Sequence, residues 1–290
     1  MASKVASGGR NGGGGGRFDH LRSPWKWEVR QRVWDLMEAE DYARSPRPVH
    51  HRIPNFEGAE AAAERLSATD AFEGAACVKV NPDTPQKEVR RLALEGGKAL
   101  MTPQPRLRTG LFSLLERSSL PEGVAVEDVC TSKGVEKHGR KLALSDRVPV
   151  GLVVCGSTAV CPDTGARVGK GEGFFELEWG ILTMLGDIDP EACLVATTVH
   201  DCQVLGGGQV PAGQLTDHDV PVDIICTPTR TIFVPNRAPK PSGIKWELLS
   251  RQKLEKIRVL QELRSRVEAE QGTELPFAPD EVLPPTAKRS

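Results

Sequence analysis

The apolar positions of this chain fall into two alternating patterns. Short, nearly unbroken apolar runs recur at Cys77–Val80, Lys98–Met101, Val148–Cys155, Cys193–Val199, Val222–Cys226 and Thr231–Val234. Runs of this length and density predict strands, and the Val148–Cys155 run predicts one buried on both faces. Between them lie stretches of helical spacing. Ser23-Pro24 reads as an N-cap and first helical residue, and Trp25, Val29, Val33 and Leu36 then recur on one face. Ala59–Leu66, Gln86–Glu95, Gly110–Leu115 and Phe174–Leu185 predict further helices, and Leu248–Glu268 predicts a long exposed one of mixed charge. Gly96-Gly97 ends the second of these. Strand alternating with helix predicts an α/β fold, a three-layer αβα arrangement on a mostly parallel sheet with right-handed crossovers.

Ligands of such sheets gather beyond the carboxyl ends of the strands. His200, Asp201, Thr227 and the glycine-rich stretch Gly165–Glu176 all fall at such ends, which predicts one shared cleft. Within that stretch Gly169, Gly171 and Gly173 alternate with Lys170 and Glu172, and a helix begins directly behind them. Alternate glycines let backbone N–H groups converge on an anion, and a helix start adds the positive end of its dipole. Arg167 and Lys170 add full charges. The stretch therefore reads either as a phosphate cradle or as a glycine-rich surface loop behind the turn Pro162-Asp163-Thr164-Gly165. It is neither a Walker A loop nor the dinucleotide fingerprint. Lys26 and Arg30 are four apart and share one helix face, as a solvated basic face or a second pair of anion ligands. His50 and His51 lie in a Pro- and Gly-punctuated connector, Ser45–Gly58, as a metal pair or as a partly exposed loop pair.

Composition narrows these choices. The chain has 290 residues, 38 Lys and Arg against 39 Asp and Glu, and a net charge of −1. That balance gives no electrostatic case for nucleic acid or an anionic membrane surface. No apolar run reaches the ~20 residues a bilayer-spanning helix needs. Seven cysteines, an odd number without a Cys-x-x-Cys, predict free buried thiols in a reducing compartment rather than a disulfide frame or a structural zinc site. Residues 1–22 are Gly-, Ser- and Arg-rich and acid-poor, a composition shared by flexible tails and by organelle transit peptides. Residues 23–247 hold the α/β pattern, 248–270 the last helix packed on or capping it, and 271–290 a Pro-containing tail.

Three motifs in order point to a family. Gly165-x-Arg167-x-Gly169-Lys170-Gly171-x-Gly173-Phe174-Phe175-Glu176, His218-Asp219-x3-Asp223-x3-Thr227 and Lys26-x3-Arg30 together resemble the 5-formyltetrahydrofolate cyclo-ligases, or methenyltetrahydrofolate synthetases. Pro48–Phe56 resembles the methenyltetrahydrofolate synthetase domain-containing proteins of animals. The stretches Pro103–Gly110, Gly134–Gly139, Gly165–Glu178 and Asp217–Arg230 resemble the plant plastid cyclo-ligase-like proteins, a branch associated with thiamin metabolism. The resemblance implies a Rossmann-like cyclo-ligase fold and an ATP-dependent ligase of folate one-carbon metabolism, located in the chloroplast or, on the alternative, the cytoplasm. It implies that ATP is held by Lys26, Arg30, Arg167, Gly169, Lys170, Gly171 and Gly173, with Lys170 and Arg167 catalytic. It also implies a magnesium ion on Glu176 and Asp219, and a small heterocyclic substrate against Asn81, Phe174 and Phe175. The family carries a glutamate at the position of Asn81 and tyrosines at those of Phe174 and Phe175. The resemblance therefore also admits a divergent protein that binds ATP but acts on another small substrate, or one that only binds.

Overall fold

The computed structural model describes residue 18 and residues 20–283, apart from 108, 109 and 207; of Arg106 and Ala212 only the backbone is described. The tails 1–17 and 284–290, and Arg108 of the basic loop Pro103–Arg108, lie outside the described residues. In chain order the elements are α1 (Pro24–Ala39), β1 (Ala43–Arg44), β2 (Asn55–Phe56), α2 (Ala59–Ser67), α3 (Asp70–Gly74), β3 (Cys77–Val80), α4 (Lys87–Glu95), β4 (Ala99–Pro103) and β5 (Phe112–Leu115). They continue with α5 (Val126–Val129), α6 (Ser132–His138), β6 (Arg140–Lys141), β7 (Leu152–Gly156), β8 (Ala159–Val160), β9 (Arg167–Val168), α7 (Phe174–Leu185), β10 (Leu194–Thr198), β11 (Ile224–Cys226), β12 (Thr231–Phe233), α8 (Arg251–Glu255) and α9 (Arg258–Gln271).

The main sheet orders its strands β12-β11-β10-β7-β3-β4-β5-β6. The five central strands, β11 to β4, run parallel, and β12, β5 and β6 add antiparallel edges. Successive residues of a strand point to opposite faces, and two separate cores follow. Val153 and Cys155 of β7 join Val195, Trp179, Ile181 and Leu182 on the α7 side. Leu152 and Val154 join Leu66, Val89, Ala93 and Leu94 on the α2–α4 side. The expected three layers are present. The outer strand β6 exposes Arg140 and Lys141, charges that discourage pairing with another sheet edge. A third core, around Trp27, Val33, Trp34 and Met37 of α1, seats that helix on the β8–β9 ribbon.

Several expectations are corrected. Gly110–Leu115 holds no helix: β5 pairs Leu100 with Leu115 and Met101 with Leu114, and all four of its side chains are buried. Sheet pairing along both edges, with β4 and β6, overrides a short apolar run's local preference. On α1 the buried face is Lys26, Trp27, Val29, Arg30, Val33, Trp34 and Met37, whereas Leu36 is 40% exposed. Ser23 precedes α1 in a left-handed conformation and makes no side-chain cap. The last helix is two, α8 and α9, and neither is a purely solvated face. Leu254, Ile257, Leu260, Leu263 and Val267, spaced three or four apart, dock on the α7 core. Nor is the stretch after it loose where it is described: Ala278 is buried and donates to the Leu249 carbonyl at 3.0 Å. At the other end, Leu21 is buried and Arg22 donates to the Leu248 carbonyl at 2.6 Å. All seven cysteines are free thiols, six of them buried. No described helix is long and apolar enough to cross a membrane.

The two faces of the sheet predict the cost of disturbing them. Leu152 is fully buried between the sheet and the α2–α4 layer, so Leu152→Ala is expected to lower unfolding free energy by about 2–5 kcal/mol. The exposed Leu36→Ala should shift it by less than about 0.5 kcal/mol. Urea titrations of the two variants against the parent check the contrast.

Candidate functional site

The chain leaves β7 at Gly156 and folds the β8–β9 ribbon over the carboxyl end of the sheet. The ribbon's turn needs Gly165, at φ 70°, because a Cβ there would lie 2.2 Å from the Val222 carbonyl oxygen. Arg167 stands on the returning strand β9, paired with Val160. The chain then runs through Gly169–Gly173 into α7. Gly171 sits at φ 96° against the Trp27 ring, where a Cβ would come within 2.7 Å of the indole. Gly173 precedes α7 without a side-chain cap, so the first-turn N–H groups of the helix are left for another acceptor.

This loop forms one wall of a cavity of about 600 Å3. The structure brings all twelve expected residues to that cavity: Lys26, Arg30, Asn81, Arg167, Gly169, Lys170, Gly171, Gly173, Phe174, Phe175, Glu176 and Asp219. Lys26 and Arg30 are not on a solvated face, being only 7% and 5% exposed. Lys26 Nζ donates to both Asp219 carboxylate oxygens, at 2.5 and 2.6 Å. Arg30 Nε donates to the Gly169 carbonyl at 2.7 Å, and its guanidinium lies 4.4 Å from the Trp27 ring. It forms no ion pair with a carboxylate among the described residues. Burial therefore pushes its pKa down to about 10, partly opposed by Glu176 and reinforced by Arg167. Arg167 donates twice to the Gly156 carbonyl and once to Glu176 Oε1, at 2.9 Å, above the Phe175 ring.

The sequence reading missed other groups in the same wall. Lys170 pairs with Asp83 at 3.4 Å and with Glu172 at 3.1 Å, and the Asp83 charge holds its pKa up. Lys253, carried in by α8, donates to the Glu172 carbonyl and lies 4.5 Å from the Phe174 ring. Glu178, a turn beyond Phe174, meets Lys79 at 2.5 Å and Asn81 at 3.1 Å. Lys79 also donates to Asn81 Oδ1 at 2.8 Å. Burial pushes the Glu178 carboxyl up, and the Lys79 charge pulls it back. Only Lys79's place in a strand of otherwise apolar residues could have flagged this group in the sequence.

The shared cleft does not extend to His200, Asp201 or Thr227. His200 stacks on Tyr42 at 4.4 Å, and Asp201 accepts from Thr227 and Thr229 at 2.7 and 2.6 Å. These contacts close the ends of β10 and β11 on themselves, outside the cavity wall. His50 is engaged by Asp35 at 2.8 Å and His51 packs 5.3 Å from Trp34, so the pair does not converge on a metal. Among the described residues no three His, Cys, Asp or Glu side chains converge as metal ligands. Glu176 and Asp219 are each tied to a cation. Magnesium typically takes one or two carboxylates and completes its shell with substrate phosphates and water. These two carboxylates therefore suit an ion that arrives with a nucleotide, not a resident one.

A pH dependence follows from the Lys26–Asp219 pair. Burial alone would raise the Asp219 pKa, but the Lys26 charge and hydrogen bond, the Thr216 backbone and His218 hold it below the ordinary carboxylate value. A lowered folded pKa gives stability that is present above the unfolded value, about 3.9, and is lost as pH falls through the folded one. The stability gap between the parent and Asp219→Asn should thus be largest near neutrality and narrow below about pH 4. Urea midpoints measured from pH 7 to pH 3 test it, and a gap constant across that range would contradict it.

Known proteins are similar to this chain in sequence. A model described as the 5-formyltetrahydrofolate cyclo-ligase family matches residues 22–228. A methenyltetrahydrofolate synthase domain-containing protein of Bos taurus is 43% identical over 269 residues, 91% of this chain and 68% of that one. Its Mus musculus counterpart is 46% identical over 83% of this chain and 63% of its own. The chain thus spans about two thirds of the length of the curated relatives it matches. The NMR structure of Aquifex aeolicus 5,10-methenyltetrahydrofolate synthetase aligns over 73% of this chain and 93% of its own, at 15% identity and a TM-score of 0.45. By the extent of its family match and its identity to these relatives, the chain belongs to the 5-formyltetrahydrofolate cyclo-ligase family.

Proposed function

We propose that the protein is an ATP- and Mg2+-dependent cyclo-ligase that converts 5-formyltetrahydrofolate to 5,10-methenyltetrahydrofolate. The observation that carries this reading is the meeting of Arg30, Arg167, Lys170, the Gly169–Gly173 loop and the α7 N-terminus on one wall of a single cavity. Cations, main-chain donors and a helix start are the groups that bind polyphosphate. In the reaction the formyl oxygen attacks the γ-phosphorus and ADP leaves. The second folate nitrogen then attacks the activated carbon, and phosphate departs with the former formyl oxygen.

Each residue has a task within that sequence. Arg30, buried without a carboxylate partner, is the cation with most to gain from a phosphate. Lys170, on the loop, reaches the transferring phosphoryl group, and its acids Asp83 and Glu172 keep it protonated. Arg167, fixed by the Gly156 carbonyl, holds position as negative charge builds. Glu176 and Asp219 would hold the magnesium ion, which supplies charge neutralisation on the phosphates. Phe174 and Phe175 line the cavity with apolar edges, their rings already engaged by Lys253 and Arg167.

A second reading keeps the nucleotide and changes the substrate, as a thiamin-linked branch would. Asn81 favours it, because its amide is already spent on Lys79 and Glu178. The two readings part in one assay. Purified protein with Mg·ATP and 5-formyltetrahydrofolate should show rising absorbance of the methenyl product, dependent on ATP. Silence at high protein concentration beside an active control defeats the first reading. Arg30→Ala should weaken Mg·ATP binding about ten- to a hundredfold by calorimetry, the scale of a lost charge-assisted contact. Unaltered affinity would remove Arg30 from the phosphate site.

A further inference from the structure

Beyond the glycine loop, the cavity lining carries a group that phosphate binding does not use. Lys79, Asn81 and Glu178 form a closed triad at the root of the cavity, 0%, 7% and 3% exposed. Both protein donors go to the same carboxylate oxygen, Glu178 Oε2. Its partner Oε1 accepts from no described residue, yet it is not among the sealed, unpaired atoms of the interior. With Asn81 and Glu178 both in the cavity lining, that oxygen is an open acceptor on the cavity wall. Lys79 is fully buried, so its charge is committed to the triad.

We infer that Glu178 is the specificity-determining residue of this cavity, its Oε1 accepting an N–H from the edge of a neutral, flat, amino-bearing nitrogen heterocycle. The inference rests on the proposed reading of the cavity as a nucleotide-plus-substrate site. Three features set the ligand class. A fixed carboxylate repels the phosphate, which leaves that group to the cationic loop. The Lys79 ammonium already neutralises Glu178, so a neutral donor suits the triad better than a cation, which would leave a net buried charge. Phe175, 4.9 Å from Lys79 Nζ, and the stiff Pro82, Pro103 and Pro105 bound a slot for a ring.

Calorimetry with 5-formyltetrahydrofolate and its 2-desamino counterpart tests this, with Mg·ATP titrated separately. The parent protein should bind the amino compound at least about tenfold more tightly, as expected when a hydrogen bond to a charged acceptor is lost. Glu178→Gln should bring that ratio close to one. A merely structural role would weaken both compounds alike and leave the ratio as it was. Where Glu178→Gln fails to fold, Lys79→Met/Glu178→Met removes both charges together and should give the same ratio near one. Equal binding of the two compounds by the parent, or an unchanged ratio in a folded variant, overturns the inference. The methenyl assay separates the two claims. Product without discrimination sinks the inference and keeps the reaction, and discrimination without product does the reverse.

Discussion

Arg167 reaches into the interior from the edge of the β8–β9 ribbon and is held on every side. Two of its nitrogens donate to the Gly156 carbonyl where β7 ends, a third donates to Glu176 in the first turn of α7, and its plane lies 4.5 Å from the Phe175 ring. A guanidinium this buried is costly unless its donors are satisfied. Here the acceptors come from two elements and the guanidinium from a third, so meeting the requirement fixes their relative positions. The strand end, the ribbon and the helix start are locked together, and the glycine loop is the span between the last two. Gly169 belongs to the same constraint, since a Cβ there would lie 2.8 Å from an Arg167 nitrogen.

The rest of the cavity repeats this logic with other pairs. Lys26 spans from α1 to Asp219, and Lys170 from the loop to Asp83 beyond β3. A nearly neutral chain can thus concentrate charge in one place, because Lys26, Arg167 and Lys170 each arrive with an acid. The arrangement carries a consequence for binding. A polyphosphate entering the site must displace carboxylates from these cations or share them, which costs part of the attraction. Arg30 needs no such exchange, having only a carbonyl and an indole face as company.

Much of this was legible in the chain. The parallel core could be read from β3, β7, β10 and β11, whose apolar runs leave no polar face. Helix α7 was read to its ends, since a glycine stands before Phe174 and another follows Leu185. The twelve residues that meet at the cavity were named through the resemblance of three ordered motifs to a family, since the glycine run alone reads equally as a surface loop. What escaped depends on pairing across the chain. β5 looks helical until β4 is laid beside it. Glu178 looks like any acid in a helix until Lys79, ninety-nine residues away, is found against it. Lys253 was lost among the alternating charges of its helix, although Leu254 and Ile257 beside it marked a docked face.

The two ends of the cavity are made of different material, and that difference bears on what can vary between proteins of this fold. The loop end combines main-chain amides and a helix start, set by Gly171 and Gly173, with the side chains of Arg30 and Arg167 that hold the loop in place. On the proposed reading, such a site would recognise phosphate whatever is attached to it. The root is side chain throughout, with Lys79, Asn81 and Glu178 each bonded to the other two. Exchanging one of the three leaves the others with an unmet charge or donor, a penalty that restricts tolerated changes to sets and not to single residues. On the proposed reading, a protein on this scaffold can therefore hold its nucleotide chemistry constant while its choice of substrate moves in concerted steps at the root.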